Sequence, residues 1–580
     1  MAAITAGRRW DPQKLRLALV GLILLLSWGV VAWRLGHVQI ITAPEVAERG
    51  LQQRLVSREL PPQRGKIFDR NGDLLAMTVE AESLYAVPGQ VEEPLWVAQQ
   101  FGTILGVDPD VLYQRLTSDK DFVYIKRQVD ASMAEELLAL DVRGVYSLPE
   151  STRVYPAGDV ASHVVGFVNI DGVGQEGLEI VYEESLRGTP GQELFERDMD
   201  GVPIPQGMSD IVPAVPGIDL NTTIDLPLQY QAQQACQDMV VTADAEACWL
   251  VAIEVETGAV LAMTGAPLFD PETRVDSAGD PFSNFTVRGI YEPGSTQKLI
   301  TVAAALEESS VQVGSIFRDI SDVIELREGA CESDDDEVHG CYRDFDEHET
   351  MDMTVEEIFT QSSNVGTIKI AETLGEEKLV EYIRAFGLGS ATGIDYGAEA
   401  AGILNFAAGC ETCWASGAIG YSVAVTPLQM AAAYAAIGND GIWTTPHIVS
   451  STMDAQGNTE VAGLETRQVV SPQTAALMRE LLAGVVERGT GQNGQVDGYR
   501  VGGKTGTANK LSEDGLRYTE ETRASFVGLA PIDDPKVVIA VVIDAPSHEY
   551  RTGGASAAIV FSQVMEHALH RLGLTPDGLE

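Results

Sequence analysis

Hydrophobic and polar positions fall into three textures along the chain. Leu17 to Trp33 is an apolar run without a formal charge. At 1.5 Å per residue it spans roughly 25 Å, and Leu35 with its neighbours extends it enough to cross a bilayer. A single transmembrane anchor is therefore predicted over residues 17–37. Arg8, Arg9, Lys14 and Arg16 precede it, so the positive-inside bias predicts a cytoplasmic tail at 1–16 and everything later outside. A cleaved signal peptide competes with this reading, but the run exceeds the usual apolar core of such peptides. Thr42-Ala43 is also followed by Pro44, a poor cleavage context, which favours an uncleaved anchor.

The second texture, residues 38–215, is mixed and rich in turns. Asn71-Gly72 between short apolar runs predicts a tight hairpin. Residues 91–149 read as a small α-rich insert, with a helix over Met133 to Leu140. Arg153 to Pro156 and Val164 to Val168 read as extended. Gly172, Gly174 and Gly177 punctuate turns, and their spacing and context do not match a dinucleotide loop.

The third texture, residues 216–580, is that of a large domain mixing helices and strands. Pro227 to Val240 is helical, and Trp249 to Ile253 with Ala259 to Met263 forms a hairpin around Glu256-Thr257-Gly258. Helices dominate from Ser295 to Gly438. Tyr499 to Lys504, Ala524 to Leu529 and Val537 to Ile543 read as strands, and Ser556 to Leu572 as a closing helix. The fold class expected is α+β: an anchor helix, an extended β-rich pedestal and a second, larger domain.

Charge and cysteines narrow the setting. The 580 residues carry a formal charge of −46, which excludes a basic nucleic-acid-binding surface. Such an excess of carboxylates keeps a surface solvated and suits a salty exterior that screens self-repulsion. Six cysteines, an even number, suit an oxidising compartment and permit up to three disulfides. Cys331 and Cys341 flank the acidic loop Glu332 to Glu337, and pairing would staple it. Cys410 and Cys413 read as a local loop disulfide, since no second pair completes a metal site. Cys236 and Cys248 remain open between buried thiols and a bridge. No metal or cofactor is called for.

The chemistry begins at Tyr291-Glu292-Pro293-Gly294-Ser295-Thr296-Gln297-Lys298. Pro293 and Gly294 break the preceding structure, and the Ala- and Leu-rich sequence after them favours helix. Ser295 is then at or just inside a helix N-terminus, with Lys298 on the same face as a built-in base. A second stretch, Gln361-Ser362-Ser363-Asn364-Val365-Gly366, offers a hydroxyl and an amide two residues apart. The third, Lys504-Thr505-Gly506-Thr507, lies on a strand opened by Gly502-Gly503, where glycines would let a substrate backbone approach the edge.

Ser-x-x-Lys, Ser-x-Asn and Lys-Thr-Gly in this order resemble the active-site set of the penicillin-recognising serine acyltransferases. Arg64-Gly65 through Ala76, Arg153 to Pro156, Gly172 to Glu179 and the piece from Asp198 to Pro203 look like the pedestal of class B penicillin-binding proteins. Glu256 to Met263, Tyr291 to Thr296 and Ser525 to Gly528 look like their transpeptidase domain. Glu292 and Asn364 look like the septal, division-specific type; the elongation type usually has Pro and Asp there. Gln297 stands where an aromatic is common, and Ser422 where Gly is usual before Thr426-Pro427-Leu428-Gln429.

The resemblance implies a peptidoglycan D,D-transpeptidase that cross-links stem peptides of lipid-linked glycan strands and is trapped covalently by β-lactams. It implies Ser295 as acyl-ester nucleophile, Lys298 as general base and Ser362 as proton relay. Asn364 orients the donor peptide, Lys504, Thr505, Gly506 and Thr507 hold its terminal carboxylate, and backbone N–H groups of Ser295 and Thr507 form the oxyanion hole. Burial and the nearby Lys504 should depress the Lys298 amine. A membrane-embedded glycan polymerase of the division machinery is the implied partner, and an elongation-type enzyme the alternative. A Ser-His-Asp hydrolase is disfavoured because no Gly-x-Ser-x-Gly occurs. A β-lactamase or carboxypeptidase sits poorly with anchor and pedestal, and a β-lactam sensor or silent scaffold poorly with the complete catalytic set.

Overall fold

The computed structural model describes residues 11–197, 204–205, 207–273, 282–332, 340–406, 410–461, 463–512 and 517–576. Arg8, Arg9, the Asp198 to Pro203 piece and most of the acidic loop after Glu332 lie outside the described residues.

The chain divides into two compact units, residues 1–63 with 189–215 and residues 64–188 with 216–580. In the first unit, α1 (Pro12–Gly36) starts on Pro12 with the Asp11 carboxylate accepting the Gln13 N–H, an N-cap that ends the preceding chain. Its side chains are exposed throughout. The helical stretch Pro12–Ile41 is long and apolar enough to cross a membrane and fits a single-pass anchor. A three-stranded antiparallel sheet (Leu55–Leu60, Gly191–Glu196, Ser209–Val212) completes this unit.

The second unit is built on a five-stranded antiparallel sheet in the order β2-β1-β5-β4-β3, where β1 is Ala247–Glu254, β2 Val260–Ala266, β3 Gly502–Leu511, β4 Tyr518–Ala530 and β5 Val537–Asp544. Around it lie α2 (Leu226–Ala243), α3 (Lys298–Glu307), α4 (Val355–Thr360), α5 (Asn364–Leu374), α6 (Pro427–Gly438), α7 (Pro472–Arg488) and α8 (Ala557–Arg571). Every residue of β5 is buried. Val537, Ile539, Val541 and Ile543 join the core with α2 and α8, while Val538, Ala540 and Val542 join the core with α6 and α7. A strand covered on both faces has no polar side, which is why its sequence reads as an unbroken apolar run. The expected α+β class, with an antiparallel sheet flanked by helices, is what the chain forms.

The sequence reading needs correction in three places, and the alternative left open at Cys236 and Cys248 is resolved. Residues 91–149 are not simply helical: Val123–Asp130 and Val145–Val154 are strands, both paired antiparallel to Leu74–Ala86. Val123, Ile125 and Val129 face the core in strand alternation, but the in-phase position between the last two is the charged Arg127, which interrupts the apolar pattern that marks a strand. Val164 and Val165 lie in one helical turn (Ser162–Val165), bracketed by Ala161 and Gly166 at positive φ, rather than in a strand. Cys236 and Cys248 are bonded, tying α2 to β1, alongside the expected Cys331–Cys341 and Cys410–Cys413 bridges. Gly502 and Gly503 serve packing, not substrate approach. A Cβ on Gly503 would lie 2.3 Å from the Phe526 ring, and one on Gly502 2.5 Å from Ile532.

The second unit also buries an ionic cluster. Glu179, fully buried, accepts from Arg64 Nε and Arg153 Nε, each at 2.7 Å, and Glu183 takes a second nitrogen of Arg64 at 2.7 Å. Arg153 also donates to the Gly65 carbonyl, so the Arg64-Gly65, Arg153 and Glu179 motifs meet at one point.

Candidate active site

Ser295 does not open an α-helix directly. Gly294 to Gln297 form a 3-10 turn, and α3 begins at Lys298. The tighter turn follows from Gly294 at φ +52°, which brings the chain against the edge strand. Gly506 completes that approach: a Cβ there would lie 2.3 Å from Ser525 Oγ and 2.7 Å from the Pro293 carbonyl. Its part in the site is to let β3 lie beside the nucleophile's turn.

Lys298 and Lys504 are both fully buried, and both reach Ser362. Lys298 Nζ donates to the Ser362 carbonyl at 2.6 Å and stands 3.4 Å from its Oγ; Lys504 Nζ donates to the same Oγ at 2.7 Å and lies 5.9 Å from the Phe359 ring centre. Burial pushes the Lys298 amine down to about 7, against the opposing pull of the Asp344 carboxylate. Lys504 is pushed well below its ordinary value by burial and then by the charge of Lys298. Burial thus dominates at Lys298, and the repulsion expected between the two lysines is felt at Lys504.

Ser362 holds its place in a left-handed conformation, φ +64°, which costs a non-glycine residue about 1–3 kcal/mol. It follows α4, whose N-terminus carries a complete capping box from Thr354 and Glu357. Ser363 caps α5 by accepting the Gly366 N–H at 2.8 Å. Asn364 opens α5, and its side-chain amide donates to the Arg343 carbonyl at 2.6 Å.

Ser295, Ser362, Asn364, Thr505 and Thr507 line one cleft of about 870 Å³. The Thr505 and Thr490 hydroxyls are 2.7 Å apart on its wall, and Thr507 Oγ1 accepts the Gly553 N–H at 3.3 Å. A second cavity of about 300 Å³, between Arg70, Asp225 and Arg571, contains none of the motif residues. Near the nucleophile, Glu292 accepts from the Ser422 N–H and the Tyr518 hydroxyl, and burial holds its carboxyl above the usual range in spite of those donors.

Asp344 was not anticipated from sequence. Its carboxylate accepts from the backbone N–H groups of Asn364 and Val365, from Ser363 Oγ at 2.8 Å and from His348 Nε2 at 3.0 Å. It sits among Asp346, Glu347 and Glu349 in an acidic stretch, and no local pattern sets it apart.

The penicillin binding protein transpeptidase domain model matches residues 249–566, more than half of the chain, and the penicillin-binding protein dimerisation domain model matches residues 59–222. This chain belongs to the class B penicillin-binding proteins. It is 35% identical to the stage V sporulation protein D of Bacillus subtilis, over 96% of this chain and 86% of that one. It is 30% identical to the peptidoglycan D,D-transpeptidase FtsI of Escherichia coli, over 97% and 93%. The structure of penicillin binding protein 3 from Mycobacterium tuberculosis, complexed with aztreonam, matches at TM-score 0.69 and 27% identity, over 90% and 98%. The penicillin-binding protein described here is thus a serine-type transpeptidase acting on peptidoglycan.

Proposed function

We propose that this penicillin-binding protein cross-links stem peptides through an acyl-enzyme on Ser295, with the terminal D-Ala-D-Ala bond as donor. Ser295 Oγ attacks the penultimate carbonyl while its proton passes to Lys298, which is neutral part of the time near pH 7. The C–N bond breaks, and the proton travels through Ser362 to the departing amine. An amine of a second stem then takes the acyl group and restores Ser295. Thr505 and Thr507 receive the terminal carboxylate with the Lys504 charge behind them. Asn364 orients the donor amide, and the N–H groups of Ser295 and Thr507 receive the oxyanion. The observation that supports this most is the convergence of two buried lysines on Ser362 beside the cleft that Ser295 lines.

Three finer assignments belong to the same proposal. The pedestal spans 38–215 and the transpeptidase domain 216–580, with the tail before the anchor in the cytoplasm and both domains outside. Glu292 and Asn364 favour the septal role over the elongation role. A membrane-embedded glycan polymerase of the division machinery is the partner, reached through anchor and pedestal.

The test is labelling of the detergent-solubilised full chain with a fluorescent penicillin, wild type against Ser295→Ala. A long-lived adduct lost in Ser295→Ala is expected. Rapid release of the label would mark a β-lactamase, and no label on folded wild type would favour a scaffold. A fluorescent fusion is expected at division sites; an even lateral distribution would assign the elongation role instead.

A further inference from the structure

The turn that carries Ser362 is gripped from outside its own helices. Strands Val323–Glu325 and Cys341–Arg343 form a hairpin closed by the Cys331–Cys341 bridge. Tyr342, on that hairpin, has its hydroxyl 3.0 Å from the Thr412 carbonyl and 2.8 Å from Ser416 Oγ. Ile324 and Tyr342 pack on Ile368 of α5 and on Ala415 and Ile419. The next residue after the hairpin is Asp344, whose N–H is itself fixed by the Asp322 carbonyl at 2.8 Å. The hairpin thus delivers one carboxylate to the N-terminus of α5.

Ser363 already satisfies the Gly366 N–H, which leaves the first two N–H groups of α5, those of Asn364 and Val365, without an intrahelical acceptor. Both go to Asp344 Oδ1. Its other oxygen holds Ser363 Oγ and His348 Nε2. His348 Nδ1 is 2.9 Å from the Glu349 carbonyl. A carbonyl and a carboxylate can only accept, so both ring nitrogens face acceptors, an arrangement that favours the imidazolium. The bonds to Glu349 and Asp344 hold its proton, raising its pKa. The carboxylate therefore has four bonds and little freedom.

Ser362 immediately precedes these clamped residues and sits at φ +64°, a conformation that persists only where the surroundings over-determine it. We propose that Asp344, oriented by His348, is a positioning residue for acylation: it fixes the Ser362–Asn364 turn and so places Ser362 Oγ between Lys298 and Lys504. Asp344 lines the same cleft, but the hydrogen bonds of its carboxylate go to the start of α5, to Ser363 and to His348 rather than to Ser295, Ser362 or either lysine. The inference rests on acylation at Ser295.

The test separates placement from folding. Acylation of the full-length protein by a fluorescent penicillin is followed at increasing drug concentration, resolving binding from the bond-forming step, while melting is recorded in parallel. Asp344→Ala is expected to slow the bond-forming step about 10–100-fold, the loss typical of a catalytic group displaced by about 1 Å, with drug binding little changed. Asp344→Asn keeps an oxygen for the two N–H groups and is expected to recover most of the rate. Folded Asp344→Ala acylating at the wild-type rate would overturn the proposal. So would Asp344→Asn as slow as Asp344→Ala, because charge rather than hydrogen bonding would then matter. Should Asp344→Ala fail to fold, His348→Ala decides: a slower bond-forming step at unchanged melting temperature supports the assignment, and an unchanged rate refutes it. Failure of the Ser295 reading looks different, as absence of label on wild type, and would remove the inference with it.

Discussion

Lys298→Met should abolish acylation and make the protein more stable. The amine ordinarily titrates at 10.5 and is held at about 7 by complete burial. At 1.36 kcal/mol for each tenfold change in proton affinity, that displacement costs the fold about 5 kcal/mol at pH 7 or below. Methionine has a similar shape and no charge. It gives up the hydrogen bond to the Ser362 carbonyl, worth about 1–3 kcal/mol, so a gain of about 2–4 kcal/mol remains. The pH dependence has a definite sign. Between pH 7 and 10.5 the folded lysine binds fewer protons than the unfolded one, so wild-type stability climbs with pH through that window. By pH 9.5 the penalty has shrunk to about 1 kcal/mol, and the advantage of Lys298→Met should have largely closed. Thermal unfolding of the solubilised chain at both pH values measures this, with a rise on the order of 5 °C expected at pH 7. A variant that melts below wild type at pH 7, or a gap that does not narrow on going to pH 9.5, would refute the reasoning.

Acylation by penicillin should rise with pH and level off with a midpoint about 7, as Lys298 loses its proton; a rate flat from pH 5.5 to 8.5 would assign the base elsewhere. Glu179→Ala leaves Arg153 as an uncompensated buried charge and Arg64 with Glu183 alone, and should destabilise the unit containing them by about 3–5 kcal/mol, read as a lower melting temperature; an unchanged melting temperature would mean that water replaces the carboxylate. Gln297 is fully buried, and neither polar atom of its amide has a partner among the described residues, so Gln297→Met should raise stability by about 1–3 kcal/mol; a fall in melting temperature would show that the amide is bonded in solution.

The catalytic centre was legible where it is written locally. Ser295 with Lys298, Ser362 with Asn364, and Lys504 with Thr507 are spaced by two or three residues, and these short motifs meet around one cleft. Asp344 was not legible, because its partners at 363–365 and at 348 come together only when the hairpin ending at Arg343 lies against α5. The strand over Val123–Asp130 was hidden by Arg127, a charged residue at the position in phase with Val123, Ile125 and Val129. One position spoke only in hindsight. Ser422, where resemblance leads one to expect Gly, has φ +60°, and its N–H binds Glu292. A left-handed residue there holds the loop against the nucleophile's turn, and Gly is the residue that adopts it without strain.

The features that make the centre reactive are the ones that oppose folding. Among the described residues no carboxylate is in direct contact with the buried Lys298 and Lys504, and Ser362 is held left-handed between them. Each is unfavourable alone, and none would persist on a flexible loop. Their supports are paired or buried elements of the second unit: Lys504 lies on β3, which pairs with β4 over most of its length, Lys298 opens a helix whose residues are nearly all buried, and the Ser362 turn is pinned by Asp344. Burial of β5 on both faces supplies the apolar stabilisation against which these costs are set. A lysine neutral near pH 7 can therefore exist here because burial beside the Lys504 strand and the pinned Ser362 turn denies it water. Loosening either support should raise the Lys298 pKa toward its ordinary value and slow acylation before the protein unfolds.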